Sequence, residues 1–382
     1  MKGWTKVRLG ELLRRADEPA EIDPAADYHE VTIKLWGKGV VSRGKVRGGD
    51  VVSARRIVRT NQLILSKIDA RNGAIGLVPP TLDGAIVSND FPSFEIRQPL
   101  DCDASFLGWL VRSAPFVDLC KAASEGTTNR VRIKEDRFLD QEIALPPLTE
   151  QQAIVARLDA LAAKTREVEE HLAAVERDAE RLLALRFRDA IAGAPMRPMA
   201  EVAPLIRREV RIDLDERYPE LGIRSFGNGT FHKSPLLGSE VGTKRLYRIE
   251  PGDLLFSNVF AWEGAIAIAR LEDTGRFGSH RFITCNVNSE LSTAAFLLYY
   301  FLTENGLLKI REASPGGAGR NRTLGLEKLM AIEVPSPSMA VQKRFDDLQD
   351  SVNALRAEHA AIRQANAALL PATLERVFAE RA

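Results

Sequence analysis

Residues 145–193, LPPLTEQQAIVARLDALAAKTREVEEHLAAVERDAERLLALRFRDAIAG, restrict what this chain can fold into more than any other stretch. Pro146 and Pro147 stop whatever precedes them. Thr149 with Gln152 has the spacing of a capping box, in which hydroxyl and amide satisfy the orphan N–H groups of a first helical turn. Apolar positions then recur in alternating steps of four and three, at Ile154, Leu158, Leu161, Thr165, Val168, Leu172, Val175, Ala179 and Leu182. That rhythm predicts a coiled-coil seam rather than an ordinary surface helix. Gly193 and Pro195 end it as a C-cap glycine and a breaker do. A helix of about 42 residues is roughly 63 Å long, too long to fold over one small core. It needs a partner helix.

The same chain offers one. Residues 338–382 repeat the rhythm at Val341, Phe345, Leu348, Val352, Leu355, His359, Ile362, Asn366 and Leu369. They too follow a proline-bearing segment, Val334-Pro335-Ser336-Pro337. His359 and Asn366 leave two readings open: buried polar residues that fix register and pairing, or members of a splayed end.

With 382 residues the chain has room for two or more domains. A hydrophobic content of 45% with 27% charged residues describes an ordinary globular protein. Cys102, Cys120 and Cys285 are widely separated and show no CxxC or Cys/His metal spacing, which reads as buried thiols in a reducing compartment. Met1-Lys2-Gly3-Trp4 leads into no apolar run, and no stretch is long and uncharged enough to span a membrane. The expected location is the cytoplasm.

Residues 1–148 read as mixed α/β. A strand entry and short helix occupy 4–15, β-rich runs follow at 28–35, 50–58, 62–67, 74–79 and 85–96, and a helical stretch over 104–123 is interrupted by Pro115. Residues 194–337 repeat the pattern. YHEVTIKLWG at 28–37 matches YPELGIRSFG at 218–227; Leu63-Ile-Leu-Ser66 with Gly73-Ala-Ile75 matches Leu254-Leu-Phe-Ser257 with Gly264-Ala-Ile266. Phe106-Leu107 matches Phe296-Leu297, and Ser124-x-Gly126 with Asn129-Arg130 matches Ser314-x-Gly316 with Asn321-Arg322. The offset stays near 190 and carries the proline–helix unit with it. One unit, a globular domain plus a long helix, is written twice.

The order domain–helix–domain–helix sends the first helix toward the second domain and the second helix back. Paired along their seams the helices are expected to be antiparallel, with a pseudo-two-fold axis. Duplex DNA has a matching backbone symmetry. Bulk charge supports that partner only in part: residues 1–149, 150–192, 193–337 and 338–382 carry net charges of +2, −2, +1 and 0. No part is basic throughout, as a general nucleic-acid binder would be. Clusters remain. Eight basic residues (Lys34, Lys38, Arg43, Lys45, Arg47, Arg55, Arg56, Arg59) stand against Asp50 alone, and Lys233, Lys244, Arg245 and Arg248 occupy the corresponding region of the repeat. A solvated strand face is the alternative reading of such a run.

Other groupings have the chemistry for bases and phosphates. Lys67, Arg71 and Asn72 lead up to Gly73, and Asn258 and Trp262 lead up to Gly264, in corresponding glycine-ended turns. Arg bonds guanine bidentately and Asn adenine likewise. The loops with Thr127, Thr128, Asn129, Arg130 and Arg132, and with Arg320, Asn321 and Arg322, offer backbone N–H groups and guanidinium ions to phosphate. His280 beside Arg281 is a further phosphate or base contact, or a plain hydrogen-bonding histidine. A fixed frame with altered side chains implies two different half-sites. Catalytic and metal-binding patterns are missing: there is no GxxxxGK[ST] loop, no GxGxxG after a strand, no Asn-Pro-Pro-aromatic motif and no nuclease pattern of Pro-Asp with a following acid-x-Lys.

The run Leu145-Pro-Pro-Leu-Thr-Glu-Gln-Gln-Ala-Ile-Val-Ala-Arg-Leu-Asp159 closely resembles the segment that opens the central helix of type I restriction–modification specificity subunits. The duplicated plan of all 382 residues resembles the same family, although the second copy of the motif, Val334-Pro-Ser-Pro-Ser-Met-Ala-Val-Gln342, lacks the Glu. The fold expected is α+β. Two similar mixed α/β target-recognition domains, 1–148 and 194–337, are separated by two long helices, 149–193 and 338–382, pairing as an antiparallel coiled coil. The resemblance implies that each domain reads a few base pairs of double-stranded DNA and that the helices act as a ruler for an unread spacer. It also implies that two methyltransferase subunits dock on the chain, and that motor–nuclease subunits join for cleavage. S-adenosylmethionine, ATP and Mg²⁺ would then belong to those partners and none to this chain, which would not be an enzyme. Two rival readings are a stand-alone duplicated DNA-binding regulator and a coiled-coil scaffold for proteins.

Overall fold

The computed structural model describes residues 4–97, 102–126, 131–316 and 322–379. Two compact units divide the chain: Met1–Ala173 with His359–Ala382, and Ala174–Glu358. Each unit therefore holds one globular part together with portions of both long helices.

In the first unit the strand Thr5–Arg8 pairs antiparallel with Glu142–Leu145. A four-stranded sheet takes the order Leu13–Ala16, Ser93–Ile96, Leu63–Leu65, Ile75–Leu77, and a five-stranded sheet ends in the hairpin of Asp27–Ile33 with Val40–Arg47. Only two residues of the 50–58 run, Arg56–Ile57, are strand. Pro115 does what its sequence position predicts: the helical stretch breaks into Ala104–Leu110 and Ala114–Ala122, and the proline opens the second helix, where its missing N–H is harmless. The second unit repeats these elements in the same order, except that the strand corresponding to Leu13–Ala16 shrinks to the single bridge of Leu205 with Cys285 and the sheet has three strands. Met196–Pro198 pairs with Glu333–Pro335, the sheet of Leu254–Ser257 lies between Ile266–Ile268 and Phe282–Cys285, and the hairpin is Arg217–Ile223 with Thr230–Leu237.

The long helices run over Leu148–Ile191 and Met339–Phe378, the latter continuing through Pro371. In the first unit the Asn366 amide donates to the Thr165 carbonyl at 2.9 Å and to Glu169 Oε1 at 3.3 Å, while Arg363 pairs with the same carboxylate at 3.2 Å. Farther along, Leu374 and Phe378 share a core with Leu158. Numbers rise along one helix as they fall along the other, so the pairing is antiparallel. It is antiparallel in the second unit as well, where Arg356 meets Glu180 at 2.9 Å and Phe345 meets Phe187 with ring centroids 5.2 Å apart. Asn366 is 8% exposed and bonded across the pair, and His359 is buried too. A splayed end would leave them wet; the register reading is the one the packing favours.

The seam itself departs from the sequence expectation at three positions. Leu182, Ile362 and Leu369 are 41%, 45% and 49% exposed. Their places are taken by Leu183 and Phe187 on one helix and by Leu370, Leu374 and Phe378 on the other, which continue from the expected Asn366 in steps of four. A strict 3.5-residue repeat drifts against a straight helix of 3.6 residues per turn. Toward its end each helix lies against a globular core as well as its partner helix, and the buried stripe shifts to steps of four. Leu158, Leu172, Phe345 and Val352 are buried, and Leu161, Val168, Val175, Leu348 and Leu355 half-buried.

The helix start also differs from the capping box. The helix begins at Leu148, so Thr149 lies inside it, and Gln152 is exposed. The buried glutamine is Gln151, whose amide donates to the Pro146 carbonyl at 2.9 Å and whose oxygen accepts from the Asp103 N–H at 2.8 Å. Gln342 does the same at the second helix, donating to Pro337 O and Leu291 O and accepting from Thr293 N–H and Ser292 Oγ. The duplicated motif keeps this Gln, which ties helix to domain in both halves, and drops the Glu, which in the first half accepts from Trp4 Nε1 at 3.1 Å. Replacing Gln151 by Ala strands the half-buried Asp103 N–H and the buried Pro146 carbonyl and is expected to cost about 1–3 kcal/mol. Gln152→Ala is expected to stay within about 0.5 kcal/mol. Denaturant midpoints of the two variants separate these outcomes; equal midpoints would refute the assignment.

Candidate nucleic-acid interface

The hairpin of residues 27–47 pairs Asp27 with Arg47 through Ile33 with Val40, with a bulge between Glu30 and Val31. Its outward side chains include Lys34, Lys38, Arg43 and Lys45, all exposed. Among the described residues no carboxylate forms an ion pair with any of these four. The other four cations of the run are answered by acids that folding brings from elsewhere: Arg47 by Asp27 at 3.7 Å, Arg55 by Glu30 at 3.1 Å, Arg56 by Asp17 and Arg59 by Glu18. The sequence run of eight therefore shrinks to four free cations. Arg47 is not among them.

Beside the hairpin lies a turn held by backbone bonds. Trp36 N–H donates to Asn72 O at 2.9 Å and Gly37 N–H to Gly73 O at 3.1 Å, joining the hairpin tip to the turn Ala70–Asn72. Gly73 sits at φ +76°, and a Cβ there would lie 3.2 Å from the Trp36 backbone, so the glycine permits the close approach. Lys67 N–H donates to Asp90 O, and Ile133 N–H to Lys67 O, each at 2.8 Å. The second unit has the same bonds at the same spacing: Phe226 N–H to Glu263 O, Gly227 N–H to Gly264 O, Asn258 N–H to Arg281 O and Leu324 N–H to Asn258 O, all 2.8–2.9 Å. Backbone frame is kept; side chains are not. Asn258 stands where Lys67 does, Trp262 where Arg71 does, and Arg281 where Asp90 does.

The side chains behave differently in the two frames. Lys67 is spent on Glu135 at 2.8 Å, and burial, with Arg15 nearby, pushes its ammonium below the usual value. Arg132 pairs with Asp90 at 2.8 Å, whereas Arg71 has no ion pair among the described residues, and Asn72 reaches Asp69 at 3.5 Å. In the second frame the Arg322 guanidinium lies 5.4 Å from the centre of the Trp262 ring, whose Nε1 donates to Val259 O at 2.9 Å. Two residues of separate sequence groups are thus brought into a cation–π pair. His280 and Arg281 are exposed in the turn between Phe277–Ser279 and Phe282–Cys285. Lys233 and Lys244 are exposed, and Arg245 reaches Glu209 at 3.8 Å. Thr127, Thr128, Asn129, Arg130, Arg320 and Asn321 lie outside the described residues.

Residues 1–177 match the family model described as type I restriction modification DNA specificity domain. The matched residues contain the free-cation hairpin, the first turn frame and the start of the first long helix. The whole chain has the fold of the HsdS subunit from Thermoanaerobacter tengcongensis, at 23% identity and a TM-score of 0.62, with 99% of this chain and 97% of that one covered. A second solved structure, described as the structural basis underlying complex assembly and conformational transition of the type I R-M system, has a TM-score of 0.66 at 22% identity, with 98% and 97% covered. No curated protein matches the chain in sequence.

Sequence reasoning passed over one exposed aromatic residue in each unit. Trp36 and Phe226, at the corresponding hairpin tips of the two units, are 71% and 79% exposed. Their signal in the sequence was the aromatic–glycine pair recurring at the same offset. One grouping among the described residues, His232 with Glu272 and Asp273, has metal-ligand geometry. Arg270 already pairs with both carboxylates, and Asp273 accepts from Thr230 Oγ1 at 2.9 Å and His232 Nε2 at 3.0 Å, so the hydrogen-bonded cluster is complete without an ion.

Proposed function

We propose that the chain is the DNA-specificity subunit of a type I restriction–modification assembly, each unit reading one half of a bipartite site. What carries the reading is the conserved backbone frame that holds Lys67, Arg71 and Asp90 in one unit and Asn258, Trp262 and Arg281 in the other. Identical geometry with different donors and acceptors is what two different base sequences require. The long antiparallel helices serve as the ruler of the spacer: 44 residues at 1.5 Å each give an upper bound of about 66 Å. Methyltransferase subunits dock on the chain and motor–nuclease subunits join them. S-adenosylmethionine, ATP and Mg²⁺ belong to those partners, and this chain performs no chemistry of its own. Among the described residues no helix is long and apolar enough to cross a membrane.

Methylome sequencing of cells that express the chain with its methyltransferase subunit is expected to give one bipartite motif. Adding one helical turn to both long helices is expected to lengthen the spacer and leave both half-sites intact. Altered half-sites with an unchanged spacer would overturn the ruler. A sequence-specific gel shift without any methyltransferase subunit would favour a stand-alone regulator.

A further inference from the structure

Trp36 and Phe226 occupy a conformation that neither stability nor solubility explains. Both are at positive φ, +61° and +62°, where bulky side chains are strained. Each is followed by a glycine at φ +65° or +68°, and each tip is closed by the same bonds, Lys34 N–H to Gly39 O and Arg224 N–H to Gly229 O. Of the non-glycine residues at positive φ among those described, only Asn61 is not one of this pair. The rest of the tip has diverged, Leu35-Trp36-Gly37-Lys38 against Ser225-Phe226-Gly227-Asn228, yet the large ring stays. A strained, exposed aromatic held twice on a rigid turn is a built contact.

We propose that Trp36 and Phe226 are aromatic wedges that press into a base step of the duplex, one at each half-site, and unstack it without reading its sequence. The inference rests on the DNA-reading role proposed above. Three observations favour DNA over a protein surface. Lys34 and Lys38 flank Trp36 two residues away on either side and have no ion-pair partner among the described residues, and lysine is depleted in protein interfaces. Trp36 N–H is bonded to Asn72 O, which places the ring's backbone against the turn that carries Arg71 and Asn72. The aromatic is also the side chain that does not diverge to a different chemistry between the frames, as a sequence-independent contact requires. Apolar wedges between base steps are an established way of bending duplex DNA.

The test uses the chain complexed with its methyltransferase subunit and duplexes of the methylome-assigned site bearing 2-aminopurine at successive positions. Binding of the unaltered complex is expected to raise 2-aminopurine fluorescence at one step in each half-site. Trp36→Ala is expected to abolish the rise in one half-site only, and Phe226→Ala in the other, each weakening binding about tenfold. Trp36→Gly and Phe226→Gly, which relieve the backbone, are expected to give the same losses with a melting temperature equal to or above that of the unaltered chain. Variants that bind and perturb the duplex like the unaltered chain would overturn the wedge while leaving the DNA-reading role intact. Failure of the unaltered complex to bind its site specifically would overturn that role instead. Loss of the methyltransferase subunit from the Trp36→Gly or Phe226→Gly chain, seen as a smaller complex on size exclusion, would show a protein contact and also overturn the wedge.

Discussion

Exchanging Lys38, Arg43 and Lys45 together for alanine is expected to weaken binding to duplex DNA of any sequence about 100-fold at 0.15 M salt. The magnitude follows from counterion release: each neutralised phosphate contributes about 0.9 to the slope of log K against log salt, so three contacts contribute about 2.7. The three side chains are exposed on the outer side and tip of one hairpin and pair with no carboxylate among the described residues, which leaves them free to neutralise phosphate. Arg47 is left out of the exchange because it also reaches Asp27, at 3.7 Å. Folding stability should not move by more than about 0.5 kcal/mol, since these are surface positions away from any cap or core. Titrations at several salt concentrations, with specific and random duplexes, check both numbers. An unchanged slope accompanied by altered sequence preference would assign these residues to bases and refute the phosphate role.

How far the sequence reaches is clearest where it stops. Heptad spacing is a local property, so the two long helices and their pairing were legible from residues such as Leu158, Leu172, Phe345 and Val352. At the helix ends the spacing cannot say which core will claim a second face, and Leu182, Ile362 and Leu369 were assigned inward for that reason. Charge clustering failed for a similar cause. Arg55, Arg56 and Arg59 are neutralised by Glu30, Asp17 and Glu18, which only strand pairing brings beside them. Two adjacent glutamines, Gln151 and Gln152, differ by about 100° around the helix, and one ties the helix to the domain while the other faces water. The duplication exposed the frame, because Gly73 and Gly264 mark close backbone approach in both halves. It marked Trp36 and Phe226 only as a recurring aromatic–glycine pair, since positive φ at a non-glycine residue has no reliable sequence signature.

Phe187→Ala should have the largest effect on stability, about 3–5 kcal/mol taken from the second unit. Phe187 is 4% exposed near the end of the first long helix, and its ring lies 5.0 Å from Phe296, 4.8 Å from Tyr299 and 5.2 Å from Phe345. The helix that begins on one globular part thus ends in the core of the other unit. Phe378 repeats the arrangement from the second helix, against Trp4 at 6.3 Å and Phe106 at 5.7 Å in the first unit. Truncating Phe187 removes contacts to three rings at once, from two further elements. Hydrogen exchange should therefore accelerate by roughly two to three and a half orders of magnitude in Leu254–Ser257 and Phe282–Cys285. Leu63–Leu65, in the first unit's sheet, should keep its protection. Phe378→Ala should reverse the pattern. Equal losses in both units from either variant would mean that the chain opens as a single cooperative body, and would refute the assignment of each helix end to a separate core.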